Sequence, residues 1–267
     1  MAQLARILLL HILGNAALTN FAGTDLQHNF DQYRFRRSRS MNVPTTARQY
    51  EIPAVSVRAP RTVTNAKSFD EACRKVINLV GAAVLLTLMF PVFGLIALCI
   101  RLDSPGPILF IQTRIGKDGK PFPFFKFRSM YTDAEKILEL LVQDNEASGP
   151  LFKMRQDPRI TKVGRIIRRM SLDELPQLLN VLRGEMVLVG PRPALPREVS
   201  TYSAYEAQRL MVTPGLTGLW QVSGRSDLSF DDAIAYDLEY IAKRSVWFDF
   251  VILARTVPAV LLAKGAY

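Results

Sequence analysis

Histidine and cysteine are nearly absent from this chain, and their scarcity narrows its chemistry before any motif is considered. The 267 residues hold two histidines, His11 and His28, and two cysteines, Cys73 and Cys99. No histidine follows His28 and no cysteine follows Cys99. A Ser-His-Asp triad, a Cys-His pair and a zinc site built on His or Cys are therefore excluded from the C-terminal part. Chemistry there must use carboxylates, hydroxyls, Lys or Arg, and a metal would be a hard, oxygen-seeking ion such as magnesium. The two cysteines bracket an apolar stretch and read as packing residues, without support for a disulfide framework. Acidic residues are in deficit as well: 24 Asp and Glu against 34 Lys and Arg give a formal charge of +10 and a pI near 9.8. That surplus points to an anionic partner, whether nucleic acid, a phosphate-rich substrate or an acidic membrane face. The length suits one good-sized domain with extras, or two small domains.

Charge vanishes altogether from Val76 to Ile100, VINLVGAAVLLTLMFPVFGLIALCI, over 25 residues. A bilayer-crossing helix needs about 20 such residues. Pro91 lies past the middle, where it removes a helix hydrogen bond and clashes with the preceding turn. Arg74 and Lys75 flank one end and Arg101 the other. These features predict a helix that enters a membrane, bends at Phe90-Pro91 and leaves by the same face, with a kinked full span as the alternative. The basic domain that follows is expected on the cytoplasmic side in either case. Residues 1–66 read as a separate, poorly ordered extension. Its run Ile7 to Leu13 is either a weak signal-peptide core or part of an accessory N-terminus. Its cluster Arg34, Arg36, Arg37 and Arg39 either meets anionic lipid or is solvated. The chain thus divides into the extension 1–66, a membrane re-entrant helix 67–103 and a C-terminal domain 104–267. That domain ends in DFVILARTVPAVLLAK, which Tyr240, Trp247, Phe248 and Phe250 lead into. Interrupted by Arg255 and Pro258, it reads as an interfacial amphipathic segment, with a buried core helix as the alternative.

Within the C-terminal domain, Ile108 to Ile115 and Phe122 to Met130 are expected strands, joined by Lys117-Asp118-Gly119-Lys120 with its Asp-Gly hairpin signal. Lys126 and Arg128 on the second strand either face outward or reach a phosphate. Thr132 to about Asn145 is an expected amphipathic helix. The stretch from Gly164 to Pro193 then packs five arginines, the adjacent pair Asp173-Glu174 and a Gly-Pro-Arg-Pro turn into 30 residues. Arg165, Arg168 and Arg169 are expected to share one helix face, opposite Ile166 and Ile167. Ser171-Leu172-Asp173-Glu174 has the Ser-x-x-Glu form of a reciprocal helix cap. Leu172, Leu175, Leu178, Leu179 and Leu182 continue one apolar face up to a stop at Gly184.

Asp173 and Glu174 admit two readings. They are first-turn acids of an ordinary helix, or they are carboxylates that handle a metal-bound pyrophosphate beside Arg168 and Arg169. Phosphoryl transfer asks a protein chiefly for positioning and positive charge. A carboxylate can also attack phosphorus directly, with no histidine as base, and magnesium could bridge a carboxylate and phosphate oxygens. Asp173 and Glu174 are therefore the candidates for catalysis and for the metal. Lys126, Arg128, Arg159, Arg168, Arg192 and Arg225 are the candidates for substrate binding, Arg192 because a rigid Gly-Pro-Arg-Pro turn would present it as a bidentate phosphate ligand.

The segment SLDELPQLLNVLRGEMVLVGPRP, with KFRSM and DPRIT before it and PGLTGLWQVSGR and YDLEYI after it, resembles the bacterial sugar transferase family. These are the monotopic polyprenyl-phosphate sugar-1-phosphate transferases, here in the short form that initiates exopolysaccharide synthesis. The resemblance runs from about Ser68 to Lys264. It implies an α+β fold, membrane-anchored by one re-entrant (Pro-broken) helical hairpin, with a small cytoplasmic, mostly helical domain carrying a short β-hairpin. It implies a phosphoglycosyl transferase of the bacterial inner (cytoplasmic) membrane, with its catalytic domain on the cytoplasmic face. Such an enzyme moves a hexose 1-phosphate, galactose or glucose, from a UDP-sugar to undecaprenyl phosphate and releases UMP. Asp173 would be the nucleophile that forms an aspartyl phosphate, and Glu174 the Mg2+ ligand beside it. Arg168 would bind phosphate, and Arg192 and Arg225 would lie near the nucleotide or phosphates. Phe90-Pro91 stands where the family breaks its re-entrant helix. Expected partners are the UDP-sugar, undecaprenyl phosphate, membrane lipid and downstream glycosyltransferases. The competing expectation is a non-catalytic basic membrane scaffold of the polysaccharide assembly machinery, which would tolerate Asp173→Asn. Nucleic acid is not expected, because the basic residues gather beside carboxylates that repel a phosphate backbone.

Overall fold

The computed structural model describes residues 65–141, 154, 156–225 and 228–262. The expected extension 1–66 lies outside these apart from its last two residues. Helix α1 (Asn65–Asp103) contains the whole apolar run and is helical through Pro91. Proline removes one backbone bond and bends a helix without having to end it. Just before that point the Thr87 hydroxyl donates to the Ala83 carbonyl at 2.9 Å. One stripe of α1 is buried, through Ala82, Leu86, Phe93, Ile96, Ala97 and Ile100, while Val80, Val84, Leu88, Leu95 and Leu98 are exposed. Among the described residues it is the one helix long and apolar enough to cross a membrane.

Strands β1 (Leu109–Ile115) and β2 (Pro121–Phe127) form the expected antiparallel hairpin, with Leu109 opposite Phe127 and Ile115 opposite Pro121. Asp118 and Gly119 take left-handed conformations at its turn. Helix α2 (Ala134–Leu141) covers the expected amphipathic segment as far as the described residues go. Helix α3 (Lys162–Arg169) starts at Thr161, whose side chain accepts from the Gly164 amide. Gly164 has no alternative here, since a Cβ at that position would stand 2.0 Å from the Ser129 carbonyl oxygen.

Two local expectations about the next stretch are corrected. Ser171 makes no side-chain cap; it sits in the left-handed region at φ 54 and turns the chain sharply out of α3. The expected single helix is a 3-10 turn, Leu172–Gln177, followed by the short α4 (Leu178–Leu182). Pro176 accounts for the division, because it cannot donate to an α-helical ladder. Asn180, fully buried on α4, locks this unit to β2: its Nδ2 donates to the Pro123 carbonyl at 2.7 Å and its Oδ1 accepts from the Phe125 amide at 3.2 Å.

A second, parallel pair, β3 (Val187–Val189) and β4 (Gly215–Thr217), holds the Gly-Pro-Arg-Pro loop between its strands. Short helices α5 (Pro196–Val199) and α6 (Ala204–Ala207), with the turns that follow them, pack Val199, Tyr202, Ala207 and Leu210 onto Ile115 and Ala194. Helices α7 (Leu219–Ser223), α8 (Phe230–Lys243) and α9 (Val246–Leu261) complete the domain. The C-terminal segment is thus a helix, with Ile252 buried and Trp247, Phe250, Val257 and Leu261 exposed. Among the described residues the architecture is helix-rich α+β with two small sheets.

Both flanks of α1 are fastened to this domain. At its start Arg74 donates to Asp249 at 2.8 Å and to the Tyr240 hydroxyl at 2.6 Å, and the Asn78 side chain accepts from the Leu188 amide at 2.6 Å. At its end Asp103 accepts from the Val163 amide at 3.0 Å.

Candidate active site

The sharp turn at Ser171 and the tight 3-10 geometry after it aim Asp173 and Glu174 at the end of β2. There the Lys126 ammonium stands 2.7 Å from a Glu174 oxygen and 3.8 Å from an Asp173 oxygen. Lys126 is set by the hairpin: with Phe124 it shares a face of β2, and its ammonium lies 5.5 Å from the Phe124 ring centre.

The two carboxylates titrate in opposite directions. Burial would raise Glu174, but the charges of Lys126 and Arg192, the Lys126 hydrogen bond and Arg114 overcome it and hold the carboxyl at about 2. For Asp173 burial wins: its carboxyl lies above the ordinary range, lowered only in part by Lys126 and Arg168 and raised further by the Glu174 charge. Adjacent groups pushed apart in this way are characteristic of sites built for chemistry.

Four expected cations converge on the pair. Lys126 touches it, and the charge of Arg168 reaches both Asp173 and Asp157. Arg192, with its guanidinium 6.0 Å from the Trp220 ring centre, helps to keep Glu174 ionised. Arg225 is pushed below its ordinary value by burial, an effect that Glu174 opposes. It sits at φ 53, a conformation that costs a non-glycine residue about 1 kcal/mol or more, and its Nη1 is buried without a hydrogen-bond partner among the described residues.

The other two expected cations are occupied with structural bonds. Arg128 turns from the carboxylates to the segment just past α1, donating to the Ser104 carbonyl at 2.6 Å, the Ser104 hydroxyl at 2.8 Å and the Pro105 carbonyl at 3.0 Å. These are orphan acceptors left where a helix ends, which a buried arginine satisfies well. Arg159 forms a buried bidentate pair with Asp157, at 2.8 and 2.6 Å. Arg165 and Arg169 also part company with Arg168. They are exposed together with Ile166, whereas Arg168 is half-buried, because successive helical positions turn by about 100° and divide the three arginines between two sides.

Arg114 is an addition. It is buried, lies 5.2 Å from the Phe124 ring centre and donates to the Pro193 carbonyl at 3.0 Å. Burial and then Arg192 push its guanidinium down to about 9, so it remains a cation at neutral pH. The signal was available in the hairpin register: the Asp-Gly turn pairs Arg114 with Phe122, on the same pleat face as Phe124 and Lys126. Arg209 supports the loop from behind. It donates to the Arg192 carbonyl at 3.1 Å and to the Tyr202 hydroxyl at 2.9 Å, and it is paired with buried Asp237.

As a metal site the pair fits a hard divalent ion. Among the described residues no three Asp, Glu, His or Cys side chains cluster closely enough to enclose a metal by themselves. Magnesium does not need such a cage, since it keeps several waters and takes one or two carboxylates together with substrate phosphates. Glu174, ionised and with 24% of its side chain exposed, and Asp173 beside it offer that donor set.

Residues 69–263 match the family described as Bacterial sugar transferase. The galactosyl transferase CpsE of Streptococcus agalactiae is 48% identical over 168 residues, which are 62% of this chain and 37% of CpsE. The exopolysaccharide production protein ExoY of Rhizobium meliloti is 41% identical over 194 residues, 71% of this chain and 86% of ExoY. The UDP-glucose:undecaprenyl-phosphate glucose-1-phosphate transferase of Caulobacter vibrioides is 44% identical over 204 residues, 73% of this chain and 72% of that protein. The chain spans well under half of CpsE, so it corresponds to one part of that longer relative. The family match covers the long apolar helix, the hairpin, the carboxylate pair and the Gly-Pro-Arg-Pro loop in one continuous stretch, and the chain belongs to the bacterial sugar transferase family.

Proposed function

We propose that the chain is a phosphoglycosyl transferase that moves the sugar 1-phosphate of UDP-galactose or UDP-glucose onto undecaprenyl phosphate, as the first step of exopolysaccharide synthesis. The observation that carries this reading is the Asp173-Glu174 pair, one carboxylate ionised and the other desolvated, ringed by Lys126, Arg168, Arg192 and Arg225. The names of the relatives from Streptococcus agalactiae and Caulobacter vibrioides supply the sugars and the acceptor.

In the first step a carboxylate oxygen of Asp173 attacks the phosphorus that bears the sugar. The bond from that phosphorus to the bridging oxygen breaks, and UMP leaves with the oxygen. Asp173 then carries the sugar phosphate as an acyl phosphate. In the second step a phosphate oxygen of undecaprenyl phosphate attacks the same phosphorus, the bond to Asp173 breaks, and the lipid diphosphate sugar departs. Each step releases one product, which gives ping-pong kinetics. Asp173 suits the role because burial strips water from its oxygens and leaves the Lys126 ammonium beyond hydrogen-bond reach. The surrounding cations offset the charge of the diphosphate as the nucleophile approaches. Magnesium held by Glu174 and Asp173 would supply charge stabilisation on the phosphate oxygens.

The membrane arrangement belongs to the same proposal: α1 enters and leaves the cytoplasmic membrane by one face, with the domain on the cytoplasmic side. In support, Arg74 and Asp103 fasten opposite ends of α1 to one body. A helix with its ends on opposite sides of a bilayer could not do this while the body stays on one side.

The test is UMP release by the nanodisc-held protein given magnesium, undecaprenyl phosphate and one UDP-sugar at a time. Release with galactose or glucose, abolished in Asp173→Asn with the circular dichroism unchanged, is the expected result. Release that survives the substitution, or no release from any donor, would overturn the mechanism and favour the scaffold.

A further inference from the structure

The Gly-Pro-Arg-Pro loop is held by its carbonyls. That of Pro191 accepts from the Gly215 amide at 2.8 Å, that of Arg192 from the Arg209 side chain at 3.1 Å, that of Pro193 from Arg114 Nη1 at 3.0 Å, and that of Ala194 from the Ile115 amide at 2.9 Å. Pro191 and Pro193 have φ fixed by their rings. Arg192 therefore stands between two rigid neighbours, and its own carbonyl and the next are each taken by a buried arginine from elsewhere in the chain. Arg114 is itself fixed from two sides. Its Nε donates to the Gln112 side chain at 3.1 Å, two residues back on the same face of β1, and its guanidinium lies 5.2 Å from the Phe124 ring centre. The arrangement works against electrostatics. After burial, the charge of Arg192 is the strongest influence pushing the Arg114 guanidinium down. Two like charges that feel each other in this way would separate if the loop were free to move, and both act instead on Glu174.

We propose that Arg114 is a positioning residue for the transfer: its fork, joining the Gln112 side chain to the Pro193 carbonyl, fixes the loop and with it the Arg192 guanidinium, beside Trp220 where its charge reaches Glu174. A lysine would not do the same work, because an ammonium is a point charge on a flexible stem, whereas a guanidinium presents its donors in one rigid plane. Arg209 holds the neighbouring carbonyl and is anchored in turn by Asp237. Arg114 completes the hold from the hairpin, the element that also carries Lys126, so the two cations nearest the carboxylate pair in this half of the site are set by one strand pair. The effect on rate rests on the transferase reading above; the placing of Arg192 does not.

The experiment is a double-mutant cycle between positions 114 and 192, read in two ways on the full chain in nanodiscs. The chain has two tryptophans, and replacing exposed Trp247 by phenylalanine leaves Trp220 as the only one, so its emission reports whether the Arg192 guanidinium is in place. Arg192→Met is expected to change that emission, Arg114→Met to change it in the same direction, and the double variant to match Arg192→Met alone. In UMP release from UDP-galactose and UDP-glucose, Arg114→Met is expected to lower kcat/KM by up to about 100-fold, the cost of misplacing a group by about 1 Å. In the Arg192→Met background the same change is expected to cost no more than about twofold, because residues that act through one another are not additive. Losses that multiply would assign Arg114 its own contact with substrate and overturn the positioning role, as would an emission unmoved by Arg114→Met. Arg114→Lys keeps the charge and loses the fork, and it serves as the second variant should the methionine variant not fold with the circular dichroism of the wild type. It is expected to follow Arg114→Met in both readouts, and a lysine that restored both would show that charge alone suffices and refute the fork. Emission needs no turnover, so a chain that releases no UMP yet shows the coupled emission change would refute the transferase reading and leave the placing of Arg192 standing.

Discussion

Lys126→Met is the perturbation that most directly probes how the site is charged. The ammonium stands 3.8 Å from Asp173, and the two side chains are 17% and 10% exposed. A unit pair near 4 Å is worth about 1 kcal/mol in bulk water and about 4 kcal/mol at the effective dielectric of a protein surface. Losing the cation removes an attraction between those two limits and pushes the Asp173 carboxyl further up. The sign follows from the chemistry: a neighbouring cation favours the ionised carboxylate, so without it the nucleophile ionises only at higher pH. The acid limb of UMP release against pH is therefore expected to move upward. Glu174 changes in the same direction. Held at about 2 against an ordinary 4.5, it stabilises the fold above pH 4.5, and that contribution is lost as pH falls through 2. The variant should therefore lose stability at neutral pH. An acid limb that stays within a few tenths of a unit, or moves down, would refute the electrostatic account of the pair.

Other perturbations test the supporting parts. Chelation with EDTA is expected to stop UMP release and added magnesium to restore it; activity indifferent to chelation would remove the metal from the scheme. Gly164→Ala drives a Cβ into the Ser129 carbonyl, so a loss of about 1–3 kcal/mol in thermal unfolding is expected, with reduced UMP release as Arg168 is displaced. Arg209→Met leaves Asp237, which burial already pushes up to about 6, without its partner. The cost is about 3–5 kcal/mol, read as a fall in melting temperature that shrinks as pH drops and Asp237 takes up a proton.

The carboxylate pair, the basic residues and the hairpin were legible in the sequence because each rests on a short-range rule. Asp-Gly names its own turn, and adjacent acids beside arginines announce themselves without tertiary information. The failures were tertiary. Arg128 lies two residues from Lys126 and looks equivalent to it, yet the end of α1 requires donors for its last carbonyls and takes Arg128 for that purpose. Arg168 resembles Arg165 and Arg169 until α3 is pressed onto Ser129, which decides which side faces the site. Ser171 matched a cap motif, but a chain that must reverse between α3 and the carboxylates needs a left-handed residue there. Arg114 was hidden by distance in sequence, although strand alternation and the turn together place it on the face of Lys126.

The bonds that hold α1 also determine where the site sits. At the start of the helix, Arg74 donates to the Tyr240 hydroxyl, which in turn donates to the carbonyl of Val189 at 2.8 Å, three residues before Arg192. At the end of the helix, Arg128 grips the Ser104 carbonyl from the segment that carries Lys126 two residues earlier. The two connections reach the site from different sheets, one through β3 and one through β2. A transferase whose acceptor phosphate is confined to a bilayer surface has to present its nucleophile at a fixed height, and a single flexible tether could not set one. Two short, buried connections from opposite ends of one apolar helix can. The arginines therefore separate into two groups: Arg192 and Arg225 place their charge on Glu174, and Arg74 and Arg128 bind the domain to α1 and the segment that follows it.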